Sequence, residues 1–378
     1  MLLGVVAFAA LAPPATAAAT YTFYASGSAV GETSPGVPRD YQLNLTNLNS
    51  TSAISFNLSV VALPQGWSGQ LSQSAVTVSP SGTLQVTLSV TPPSTALADA
   101  VGKFVNVTAT PDDNTSAQTV ATTTRVTETF GVSLTVIAQA GTSGNPGANV
   151  SWLAYLKNTG NSQQTYTVTV DNTSYTNTNL TTNLVTVQPA ATEVIQVWIN
   201  ISQTAPVGTL PSYIRAVSTA NSSSQDTVTF AASVNARRAV SLRGLTTDDL
   251  IVQTEPEASV VFSNILVAND GNVADSYVLL GTANASRHGS WVSFTNANIS
   301  LSAFSQQYLS VTVTVPASAS ATGDYTVEFR IVSTNSTAVI AFLNLTVTVT
   351  PKHDLAIGYD ALVAKLSGDP GTVVAFPV

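Results

Sequence analysis

Cysteine is absent from the 378 residues. No disulfide and no thiolate metal centre can therefore hold this chain together, and each folded unit must rest on its own apolar core. Charge is scarce as well: 12 basic and 20 acidic side chains make up 8% of the sequence and leave a net charge of −8. Soluble domains ordinarily carry about 25% charged residues; here serine, threonine and asparagine supply the polarity. So few lysines and arginines cannot neutralise a run of phosphates, which argues against a nucleic-acid binder. The only histidines are His288 and His353, in different parts of the chain, and no nucleophile elbow accompanies either, so a Ser-His-Asp triad has no setting. The acids are scattered over turns rather than paired across a cleft, as glycoside hydrolysis needs. The expectation is a non-enzyme without cofactors. No apolar run after residue 20 is long enough for a membrane-spanning helix.

The N-terminus reads as an export signal. Leu2 to Leu11 is an apolar run too short to cross a bilayer, followed by Pro13, Pro14 and the small residues Ala15-Thr16-Ala17-Ala18-Ala19. No Lys or Arg precedes Arg39, so the usual basic start is missing, but the pattern assigns residues 1–19 to a signal peptide and places the protein outside the cell or on its surface.

A repeat of about 110 residues organises the remainder. Pro-containing turns recur at Pro35, Pro146, Pro256 and Pro370, at intervals of 111, 110 and 114. Each complete unit then shows an Asn-rich turn: Asn47-Leu48-Asn49, Asn158-Thr159-Gly160-Asn161 and Asn269-Asp270-Gly271-Asn272. Last comes an alternating strand running into proline: Leu84 to Pro92, Val194 to Pro206, Leu309 to Pro316. The spacing predicts units over 20–128, 129–238 and 239–351, and the start of an incomplete fourth over 352–378. A quarter of a unit cannot close a core, so the sequence reads as a fragment of a longer polypeptide. A different explanation stays open: the orphan segment after His353 could complete a sandwich in a neighbouring chain.

Within units the hydrophobic period is two. Tyr41, Leu43 and Leu45 alternate with Gln42 and Asn44; Leu84, Val86, Leu88 and Val90 alternate with Gln85, Thr87 and Ser89; Val327, Phe329 and Ile331 alternate with Glu328 and Arg330. This is the pattern of half-buried antiparallel strands. Six to eight short strands per unit, with Gly, Pro, Asn and Ser between them, predict an all-β protein of tandem immunoglobulin-like β-sandwiches in an elongated array.

The succession Leu63-Pro64-Gln65-Gly66-Trp67, Val76-Thr77-Val78-Ser79-Pro80-Ser81-Gly82, Val86 to Pro92 and Gly102-Lys103-Phe104-Val105-Asn106-Val107 resembles the immunoglobulin-like modules of the CARDB type and the related domain found beside carbohydrate-binding modules and α-galactosidases. The third unit is similar through Gly289-Ser290-Trp291, Ile299-Ser300-Leu301 and Gly323-Asp324-Tyr325-Thr326-Val327. The second departs, having no Pro-x-Gly-Trp before Leu184. The resemblance implies an extracellular spacer, adhesion or surface-assembly module of prokaryotic envelopes, and no active site.

Candidate binding residues fall into three groups. Fourteen Asn-x-Ser/Thr sequons occur where 25 asparagines and 96 serines and threonines predict about six by chance. Among them Asn44, Asn57, Asn106, Asn200 and Asn344 fall on the polar phase of strands, where a glycan would stand off the sheet; a plain Ser/Thr/Asn surface is the alternative. Trp67 and Trp291, at equivalent loop positions, either stack on sugars or plug the ends of their cores, whereas Trp198 faces outward and is the best single candidate for a partner or glycan contact. Asp112, Asp113, Asp248 and Asp249 are weak calcium candidates, and Asn269-Asp270-Gly271-Asn272 reads first as a hairpin turn. The expected function is a secreted cell-surface structural or adhesion protein, partnered by envelope proteins or surface glycans and with room for a membrane anchor beyond Val378. The alternative is the non-catalytic spacer or carbohydrate-binding region of a larger secreted hydrolase.

Overall fold

The computed structural model describes residues 20–112, 116–139, 141–171, 173–321 and 323–352. The expected leader and the expected fourth repeat from 353 onward lie outside them. The first unit runs β1 (Tyr21–Ser26), β2 (Val30–Thr33), β3 (Arg39–Asn47), β4 (Ile54–Ala62), β5 (Ser68–Leu71), β6 (Ala75–Val78), β7 (Thr83–Thr91), β8 (Asp99–Pro111) and β9 (Gln118–Val126). They form two facing sheets, ordered β1-β3-β7-β5 and β2-β9-β8-β4-β6. Nine strands within 132–234 and nine within 240–349 repeat both orders without change. The protein is thus a tandem array of immunoglobulin-like β-sandwiches. Helical structure among the described residues is limited to short 3-10 turns in the third unit.

The two-residue period explains which face each strand buries. Tyr41, Leu43 and Leu45 of β3 and Val86, Leu88 and Val90 of β7 pack against Phe56 and Leu58 of β4 and Val105 and Val107 of β8. Similar two-sheet cores centre on Trp152, Ile195 and Ile214 in the second unit and on Val267, Tyr277 and Phe329 in the third. Each large apolar side chain so buried contributes about 1.5–3 kcal/mol, and several together stand in for the missing disulfide.

Two features depart from the expectation. Each unit has more strands than foreseen, because β5, β6 and their counterparts are mostly four residues long and too short to establish a period. One pairing per unit is also parallel rather than antiparallel: Val30↔Thr123 through Thr33↔Val126, with equivalents at Ser143↔Ser233 and Ile251↔Thr346. The cause is a split first strand. β1 pairs antiparallel with β3 in one sheet; the chain then turns at Gly27, whose φ of +88° favours glycine, and β2 joins the other sheet alongside the last strand.

Candidate functional site at the unit junctions

The Asn-rich turn leads from β3 to β4 and so crosses from one sheet to the other. It is not the hairpin that Asn269-Asp270-Gly271-Asn272 was expected to form, and none of those residues adopts a positive φ. The asparagines act through their side chains instead. Asn47, Asn158 and Asn269 end β3 and its counterparts and are buried. Their Oδ1 atoms accept from the amide two residues on, Asn49 at 2.8 Å, Gly160 at 2.9 Å and Gly271 at 3.0 Å. Their Nδ2 atoms donate across the turn to Ser52, Ser162 and Val273 and to the ends of β6 and its counterparts, at Val78, Val187 and Leu301. A polar side chain can be buried at a sheet corner because every group finds a partner.

Three residues further stand Asn161 and Asn272, and these reach out of their own unit. Asn161 Nδ2 donates to Ala96 O in the β7–β8 loop of the first unit, at 3.3 Å, and to Thr127 O just after β9, at 3.0 Å; its Oδ1 accepts from the Thr129 amide at 2.7 Å. Its carbonyl also accepts from the Ala98 amide at 3.0 Å. Asn272 repeats the arrangement with Ala205 O at 3.3 Å, Asn235 O at 2.9 Å and the Arg237 amide at 2.7 Å. One amide thus ties together the preceding unit's loop, the end of its last strand and the connecting segment. The glycines before these asparagines let that segment approach: a Cβ on Gly160 would lie 2.4 Å from Thr129 O, and one on Gly271 2.5 Å from Arg237 O. In the first unit the two positions hold Asn49 and the exposed Ser50.

Side chains of each connecting segment fasten it to the unit that follows. Glu128 accepts from Gln164 Nε2 at 2.7 Å and from the Ser162 hydroxyl. Arg238 pairs at 3.2 Å with the buried carboxylate of Asp275, which stands in the third unit where the second has Gln164. Burial raises the Asp275 pKa, but hydrogen bonds from Asn335, Ser333 and the Ser276 amide, with the Arg238 charge, together outweigh it and hold the group below the ordinary 3.8. Tyr166 and Tyr277 donate to Gly131 O at 2.8 Å and Ala239 O at 3.4 Å, at the start of the same units. Burial pushes both phenols up to about 12, aided at Tyr277 by the charges of Asp275 and Asp270.

Residues 33–127 match the NPCBM-associated, NEW3 domain of alpha-galactosidase. The matched segment is nearly the whole of the first unit, whose topology the other two share. No match is found among curated proteins. Among solved structures the chain is similar to the protocadherin gammaB7 EC3-6 cis-dimer structure, with 11% identity over 88% of this chain and 74% of that one and a TM-score of 0.41. It is also similar to a FixG-related protein from Vibrio parahaemolyticus, with 10% identity over 28% of this chain and 96% of that one and a TM-score of 0.24. A protein of unknown function from Porphyromonas gingivalis W83 shows 12% identity over 57% of this chain and 100% of that one, with a TM-score of 0.24.

The residues singled out from sequence do not converge on one pocket. Asn57, Asn200 and Asn344 are exposed, and Asn44 and Asn106 half-buried, each flanked along its strand by inward-facing apolar residues. Asn44 accepts from Gln85 Nε2 at 3.2 Å, and Asn106 keeps a buried, unpartnered Oδ1. Trp67 and Trp291 pack against the cores of their units. Trp291 also meets His288 and Tyr325 at ring separations of 4.6 and 5.1 Å, so that histidine is part of an aromatic plug. Trp198 is half-buried on the outward face of its sheet, with Asn179 and Ser151 as cross-strand neighbours.

The acidic candidates have protein donors of their own. Asp112 accepts from the Ser55 amide at 3.0 Å. Asp249 accepts from Asn264 Nδ2 and from the Thr246 amide and hydroxyl, bonds that lower its pKa, while Asp248 is exposed beside it. Asp113 lies outside the described residues. No group of three or more His, Asp or Glu side chains able to hold a metal occurs among the described residues. Sequence reasoning missed the junction asparagines as connectors, although the period aligns Asn161 with Asn272 and could have singled them out.

Proposed function

We propose that the chain is a secreted cell-surface structural or adhesion protein in which immunoglobulin-like units act as spacers held in fixed succession. The observation that carries this reading is the repeated junction: the same asparagine, on the same three kinds of partner, ties one sandwich to the next at both connections. A protein whose task is to hold its ends apart needs stiffness between units, and several hydrogen bonds per junction supply it where a free linker would not. The match of residues 33–127 to a domain associated with carbohydrate-binding modules fits a non-catalytic role. Brief protease treatment of intact cells tests the reading. Release of peptides from residues 20–352 supports it; their appearance only after lysis overturns it.

The same family match favours a second reading, a non-catalytic spacer or carbohydrate-binding region of a larger secreted hydrolase. Retention of the chain on insoluble polysaccharide at moderate salt would support this second reading over the first.

A further inference from the structure

Of the three exposed phenylalanines among the described residues, Phe104, Phe304 and Phe342, the first and last share a sequence setting. Phe104 in β8 is 64% exposed and Phe342, in the last strand of the third unit, is 52% exposed. Both lie on strands whose other faces are packed into cores, and hydrophobic side chains of this size at such positions leave apolar surface in water. Each stands two residues before a sequon asparagine: Phe104-Val105-Asn106-Val107-Thr108 and Phe342-Leu343-Asn344-Leu345-Thr346. Trp198-Ile199-Asn200-Ile201-Ser202 repeats the arrangement in the second unit. With 7% aromatic residues, fourteen sequons predict about one aromatic at that position by chance. Three occur, one in each unit, and all three are on strands.

Residues i and i+2 of a strand project from the same face, about 6.7 Å apart along it. The buried or half-buried Val105, Ile199 and Leu343 between them confirm that each aromatic and its asparagine share the outward face. A sugar ring carried on such an asparagine has one face of C–H bonds within reach of the neighbouring aromatic ring. Covering that ring removes apolar surface from water while the sugar hydroxyls stay solvated.

We propose that Asn106, Asn200 and Asn344 are N-glycosylated and that Phe104, Trp198 and Phe342 are built-in platforms on which the first sugar of each glycan packs. The modification joins the asparagine Nδ2 to C1 of a sugar supplied by a lipid-phosphate-linked donor. The C1–O bond to the donor phosphate breaks, the phosphate leaves with the bonding pair, and the amide loses one proton. This inference rests on the export reading above, because the donor and its transferase act outside the cytosol.

The test begins with the full chain purified from the organism that encodes it, mapped by fragmentation of intact glycopeptides. Sugars at Asn106, Asn200 and Asn344 are expected. In the same host, Phe342→Ala should lower the Tm of the glycosylated protein by about 4 °C, and by less than half as much in an Asn344→Gln background. Phe342→Leu, which keeps apolar bulk without a ring face, should behave like Phe342→Ala and guards against a simple folding defect. Bare asparagines in surface-exposed protein overturn the inference and leave the spacer reading standing, whereas bare protein confined to the cytosol overturns both. Occupied sites with equal Tm losses in the two backgrounds overturn the platform role.

Discussion

Replacing Asn272 by alanine removes three side-chain hydrogen bonds, to Ala205 O, Asn235 O and the Arg237 amide. At a net value of about 1 kcal/mol each, the substitution costs about 3 kcal/mol. About two thirds of this lies in the bonds to Ala205 O and Asn235 O, which reach the loop and the end of the last strand of the preceding unit. For a unit of this size, 3 kcal/mol lowers the Tm of its transition by roughly 10 °C. Asn272→Asp keeps the shape but turns a carboxylate oxygen toward two carbonyls, so it should cost more than alanine despite being the smaller change. Ser50→Ala, at the corresponding exposed position of the first unit, should move its transition by less than about 2 °C. Scanning calorimetry of the four proteins reads all three effects. An Asn272→Ala transition within 2 °C of the parent, or Asn272→Asp milder than alanine, would refute the assignment of Asn272 as a junction clamp.

Other outcomes follow from the same geometry. Gly160→Ala places a methyl group against Thr129 O and should destabilise the first junction by about 1–3 kcal/mol, measured by urea unfolding. Because the Asp275 pKa is lower in the folded than in the unfolded chain, its contribution is present above about pH 4 and is lost as pH falls through the folded value. Asp275→Asn should therefore flatten the acid limb of a stability profile between pH 5 and pH 2. Tyr166 and Tyr277 are raised to about 12, so their contribution is full below pH 10 and disappears as pH rises toward 12. Absorbance at 295 nm should show two late-titrating phenols whose ionisation accompanies unfolding. Phe329→Ala, in the centre of the third core, should cost about 3–5 kcal/mol and lower the third transition far more than either of the others.

Much of this architecture is legible in the sequence, and for physical reasons. Alternation such as Leu84 to Val90 reports directly on burial, because a strand has a period of two and each face meets one environment. The recurring Pro-containing and Asn-rich turns mark places where the backbone must satisfy special geometry, so they repeat when the fold repeats. What stayed hidden depends on partners distant in the chain. Nothing in Val30-Gly31-Glu32-Thr33 says that it lies parallel to Thr123-Thr124-Arg125-Val126, since four residues cannot distinguish one neighbour from another. The Asn-rich turn is visible in the sequence, but its reason is not: the local reading is a hairpin, whereas the targets of Asn161 and Asn272 are carbonyls in another unit. Trp67 and Trp291 were equally ambiguous, because an aromatic beside a turn can plug a core or face a ligand with the same local sequence.

If the asparagine junctions hold successive sandwiches in one orientation, labels on neighbouring units stand at one fixed distance. The absence of native cysteine makes the direct measurement simple, since Thr110→Cys with Thr229→Cys, and Thr229→Cys with Gln307→Cys, carry spin labels at chosen sites alone. Pulsed dipolar spectroscopy across each junction should give a single narrow distance distribution, which Asn161→Ala broadens at the first junction and Asn272→Ala at the second. A broad distribution in the parent protein, unchanged by either substitution, would show that the asparagines do not fix the units relative to one another.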